Sequence, residues 1–94
     1  MFKKWLLISS MISKNIDGFS DIECPHCGKK ELDYIYIGDE KERVGYFQVW
    51  CNNCLHGIYI SRATIPKNAK MLSFDTDVKL SEIIPQYKRI EPND

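Results

Sequence analysis

Residues 24–57 read CPHCGKKELDYIYIGDEKERVGYFQVWCNNCLHG, and the two Cys-x-x-Cys hooks that open and nearly close this stretch use every cysteine in the chain. Two cysteines separated by two residues aim their sulfurs at one point from a tight turn. A second such turn supplies the other two corners of a tetrahedron, which is the ligand set that zinc prefers. Cys24, Cys27, Cys51 and Cys54 are therefore read as the halves of one metal site, with one Zn2+ per chain. Pro25 stiffens the first hook. Gly28 follows it where the chain leaves the turn and positive φ is expected, and Gly57 is expected to play a looser version of that role after the second hook.

The hooks are separated by 23 residues, slightly more than the usual spacing of this pattern. A hairpin explains the excess. Leu32 to Ile37 alternates as an extended strand, Gly38 to Arg43 is a charged, turn-prone loop, and Val44 to Trp50 is a second extended run. At about 3.3 Å per residue the chain goes out roughly 20 Å and returns the same distance, so Cys51 comes back level with Cys27.

On these four cysteines and the hairpin between them, residues 22–63 resemble the zinc-ribbon superfamily, and the flanking segments resemble those of small stand-alone bacterial zinc-ribbon proteins. The resemblance implies a mainly β fold in which a three-stranded antiparallel sheet holds zinc at one end. It implies no single activity, because zinc ribbons serve in transcription proteins, ribosomal proteins, enzyme subdomains and adaptors.

Rival uses of the cysteines weigh less. Two disulfides belong to oxidising compartments. A redox Cys-x-x-Cys opens a helix in a βαβ setting, which this sequence lacks. Iron held by four thiolates is the closest rival. His26 and His56 lie within the hooks and imidazole also suits zinc, but four well-spaced cysteines make neither necessary, so both are expected to be exposed or hydrogen-bonded.

The chain has 94 residues, 44% of them hydrophobic, and a formal net charge of zero, which describes one domain over 1–94 with a modest core that benefits from a metal staple. The charge balance is also local. Residues 1–23 set Lys3, Lys4 and Lys14 against Asp17, Asp21 and Glu23, and each remaining part is equally even. Four thiolates around one divalent ion add two negative charges. A nucleic-acid binder shows a basic patch, because neutralised phosphates supply its affinity. The balance argues against that class without removing it.

At the N-terminus, Trp5, Ile8, Ile12, Ile16 and Phe19 follow helical spacing, while the short β-branched and aromatic run Leu6 to Ile12 also suits a strand. The strand is the reading favoured here. The run is too short to span a membrane and lacks a cleavage site after it, so a cytoplasmic protein is expected. Asn15 to Gly18 reads as a turn. After Ile65-Pro66 a short edge strand is expected around Met71 to Phe74. Asp77 is read as a turn residue or helix cap, Val78 to Ile84 as a short helix stopped by Pro85, and Glu91 to Asp94 as a frayed tail.

Alternation along the ribbon strands suggests an aliphatic core face with Ile35, Ile37, Phe47, Val49, Ile58 and Ile60. The opposite face would then carry Tyr34, Tyr36, Tyr46, Trp50 and Tyr59. Trp5 to Ile12 or Leu80 to Tyr87 is expected to pack over that aromatic face. No serine, carboxylate pair or phosphate loop assembles a catalytic constellation. The function expected is a non-catalytic, structural-zinc interaction module that binds another protein as a regulatory adaptor or immunity-type factor. The alternative is a zinc ribbon that stacks single-stranded nucleic acid on the aromatic face.

Overall fold

The computed structural model describes residues 1–93 and is mainly β. Helix α1 (Phe2–Lys14) precedes strands β1 (Leu32–Asp39), β2 (Val44–Cys51), β3 (His56–Thr64), β4 (Met71–Ser73) and β5 (Lys88–Arg89). They form one five-stranded sheet in the order β4-β1-β2-β3-β5. The three central strands are antiparallel, as expected of the ribbon, and the two short outer strands add in parallel. Asp94, the end of the expected tail, lies outside the described residues.

The hairpin loop sets the register. The Asp39 carboxylate accepts the backbone N–H groups of Lys41 and Glu42, each at 2.8 Å. Arg43 then takes a left-handed φ of 56° and returns its N–H to the Asp39 carbonyl at 2.8 Å. Asp39 is thereby paired with Val44, and every later pair follows: Tyr36 with Phe47, Tyr34 with Val49, Ile35 with Gln48.

That register corrects the expected division of the sheet. Directly opposed residues share a face, so Tyr34 and Tyr36 lie with Phe47, Val49, Ile58 and Ile60. Ile35 and Ile37 lie with Tyr46, Gln48, Trp50 and Tyr59. The expectation matched the strands by side-chain type, and because side chains alternate with a period of two, being out by one residue exchanges the faces of a whole strand. Both faces are mixed, and no single aromatic face exists. Tyr36 stacks on Phe47 with ring centroids 4.1 Å apart, inside the larger core.

The N-terminal run is a helix and not the favoured strand. Trp5, Ser9 and Ile12 point inward at helical spacing, and the Ser9 hydroxyl donates to the Trp5 carbonyl at 2.8 Å. Lys3, Lys4, Leu6, Leu7 and Met11 favour helix, and only the helix brings Trp5 and Ile12 to one side. α1 covers the face of Tyr34 and Tyr36. The C-terminal segment covers the hook end of the other face, where Leu80, Ile84 and Tyr87 pack near Trp50. The expected helix over Val78 to Ile84 shrinks to one 3-10 turn, Leu80–Glu82, with Lys79 and not Asp77 at the N-cap position and no side-chain capping bond.

Arg43 ties the far end of the sheet together. Its carbonyl accepts from the Ile65 N–H at 2.7 Å, and its guanidinium donates to the Pro66 carbonyl and approaches the Met71 sulfur.

Candidate metal centre

The first hook is a turn before β1, and the second is the connection from β2 to β3. They repeat one backbone design. The Gly28 N–H donates to the Cys24 carbonyl and the Leu55 N–H to the Cys51 carbonyl, both at 2.9 Å. Gly28 has the expected left-handed φ, 79°. At the matching place in the second hook stands Leu55, with φ 55°, and not a glycine. A left-handed leucine costs roughly 1–2 kcal/mol, so this hook carries strain that the first avoids. Gly57 is required for a different reason from the one expected. A Cβ there would lie 2.4 Å from the Val49 carbonyl oxygen and 2.7 Å from the Tyr87 ring.

The two turns meet. The N–H of Cys24 donates to the Lys29 carbonyl at 2.8 Å, and the N–H of Asn52 donates to the Glu31 carbonyl at 2.9 Å, joining the second hook to the run into β1. The Trp50 indole donates to the Asn52 side chain at 2.9 Å and braces the same corner.

All four sulfurs lie within 4.8 Å of one another. Cys24 and Cys54 are 3.7 Å apart, and Cys27 and Cys51 are 3.6 Å apart. These separations are far beyond a disulfide bond of about 2.05 Å. They match the edge of a tetrahedron with metal–sulfur bonds of about 2.3 Å, which is about 3.8 Å. The four cysteines thus form a cluster able to hold a metal ion. Cys24 and Cys51 are buried, and Cys27 and Cys54 are partly exposed.

Hydrogen bonds to sulfur favour the thiolate form. The His26 N–H points at the Cys24 sulfur at 3.3 Å and the Asn53 N–H at the Cys51 sulfur at 3.4 Å. The Asn53 side-chain amide donates to the Cys27 sulfur at 3.4 Å and is the main reason that this thiol titrates low, at about 6. Burial pushes Cys54 up to about 12 and also raises Cys24. Without a cation, four thiols in so small a volume cannot all ionise. Spacing arguments missed Asn53, because a side-chain donor at this place leaves no mark in the Cys-x-x-Cys pattern.

Neither histidine belongs to the sulfur cluster. Their rings stack on each other with centroids 3.8 Å apart, and His56 Nδ1 donates to the Cys54 carbonyl at 3.1 Å. They join the two hooks from outside.

Among the described residues no helix is long and apolar enough to cross a membrane. No protein-family model, curated protein or solved structure matches the chain, so the geometry of the site itself carries the functional argument.

Proposed function

We propose that this chain is a non-catalytic, structural-zinc protein of zinc-ribbon type that acts as an interaction module for another protein, in a regulatory adaptor or immunity-type role. The observation that carries the proposal is the four-sulfur cluster at tetrahedral spacing, where the hook before β1 meets the β2–β3 connection. Zn2+ fits this donor set on chemical grounds. Four thiolates satisfy its coordination and leave no position for water or substrate, which is the pattern of a structural site and not of a catalytic one. When bound, the ion neutralises part of the thiolate charge and fastens the two hooks, contributing to folding directly.

Protein recognition is favoured over base stacking because Tyr34, Tyr36 and Trp50 are buried in two different packing layers. They offer no common platform to unpaired bases.

Metal analysis of purified protein is expected to give one zinc per chain and a colourless solution. Cys51→Ser is expected to lose the metal and unfold or become molten. Absence of zinc, visible absorbance of an iron–thiolate centre, or an unchanged urea midpoint in Cys51→Ser would each refute the structural-zinc reading.

A further inference from the structure

The C-terminal segment packs over its sheet face where Ile35, Ile37 and Trp50 are buried, and the loop end of that face is more open. There, Val44 and Phe74 are 49% and 59% exposed. Phe74 adjoins Tyr46, which adjoins Tyr59, with ring centroids 6.2 and 5.3 Å apart. A cleft of about 620 Å³ runs between Val44, Phe74 and the bulged part of β3, Ser61 to Thr64. A second cleft of about 310 Å³ is lined by Asp39 to Lys41 and Ser73 to Asp75, and the two share Asp39 and Phe74. Two hollows that share an exposed aromatic ring suit neighbouring side chains of one segment, and large exposed apolar groups rimmed by polar ones mark interaction sites.

The rim has a sign. Asp39 and Glu42 border the larger cleft with Arg62, and Asp39, Glu40 and Asp75 border the smaller one with Lys41. Four carboxylates thus face two cations. Arg43, the remaining cation of the loop, is turned inward toward Met71 and Pro66.

Resting on the protein-binding reading above, we propose that this apolar, acid-rimmed double cleft is the docking surface, and that its occupant is a protein segment presenting an aliphatic or aromatic side chain flanked by Lys or Arg. The apolar side chain fills the space beside Phe74, and the basic groups meet Asp39, Glu40, Glu42 and Asp75. The same carboxylates repel phosphates, which sets this surface against nucleic acid. A second copy is the other occupant to test. The outer side of α1 carries exposed Leu7 and Met11 with Lys3 and Lys4, so it has the required chemistry.

The test uses the full-length, zinc-loaded protein. A random twelve-residue peptide display library is panned against it, and the most enriched peptide is synthesised and titrated while backbone amide NMR shifts are recorded. The proposal expects enriched peptides with an apolar residue beside Lys or Arg. It expects shifts centred on Asp39–Gly45, Ser61–Thr64 and Ser73–Asp75. Phe74→Ser should weaken binding about tenfold or more, and Glu42→Lys about fivefold. Both residues are exposed, and an unchanged urea midpoint verifies that each variant folds. Peptides binding elsewhere on the protein overturn this surface but leave the protein-binding reading standing. No enrichment of any peptide overturns both. Oligo(dT) shifting the same residues at physiological salt overturns the choice of a protein. Concentration-dependent sedimentation abolished equally by Leu7→Ser and Phe74→Ser assigns the cleft to a second copy and overturns the foreign partner.

Discussion

Asn53 shows how one side chain serves the four-sulfur cluster from outside it. Its backbone N–H serves Cys51 and its side-chain amide serves Cys27, so one residue touches both hooks. Groups that hydrogen-bond to ligands orient them and adjust their basicity, and losing one typically weakens metal binding about 10–100-fold. Asn53→Ala keeps the backbone donor and removes only the amide. Chelator competition should therefore show a zinc affinity at least about tenfold lower, with the folded, metal-saturated spectrum unchanged. An unaltered competition curve would mean that the amide serves only the turn. The four-cysteine cluster was legible in the sequence because its spacing is itself the geometry. Asn53 and the left-handed Leu55 were not, since one acts through a side-chain rotamer and the other sits where glycine is the usual choice.

The hairpin and its limits were also readable, and β1 and β2 run within two residues of the expected strands. The phase between them was not. It depends on the Asp39–Arg43 loop, where a carboxylate and one left-handed residue decide which residues oppose each other, and hydrophobic pattern alone cannot supply that on a sheet buried on both sides. α1 was misread for a related reason: a short apolar run satisfies two periods, and the sheet it packs against decides between them. α1 closes the larger core with fully buried Trp5 and Ile12. Truncating a buried tryptophan costs about 3–5 kcal/mol, a large share of the stability of a small domain. Deleting residues 1–14 should therefore leave Tyr36, Phe47 and Ile60 open to water and give an aggregating protein, seen by light scattering. Trp5→Ala should lower the urea midpoint without changing zinc content. A deletion variant that stays monomeric and equally stable would show that α1 is not part of the core.

At the scale of the molecule, segments from opposite ends of the chain cover the sheet, α1 over one face and the C-terminal segment over the hook end of the other, and each contact includes a tyrosine. Tyr36 lies beneath α1. Tyr87 lies in the C-terminal cover and donates to the Gln48 side chain at 2.7 Å. Burial pushes both phenols from 10 up to about 12. A phenol whose folded pKa is raised binds its proton more tightly in the native state. Its contribution to stability is thus complete below pH 10 and is lost as pH rises toward 12. For Tyr36, 1% exposed, the loss by pH 11 is on the order of 1 kcal/mol, the size that one pKa unit carries. Zinc held by the four thiolates, as proposed above, imposes the opposite limit, because protons compete with the metal for sulfur and stability should fall as pH drops. Urea midpoints measured from pH 5 to pH 11 should therefore pass through a plateau. Tyr36→Phe should flatten the alkaline side alone, and chelation of the metal should depress the plateau itself. An alkaline fall that persists undiminished in Tyr36→Phe would place its origin outside the larger core.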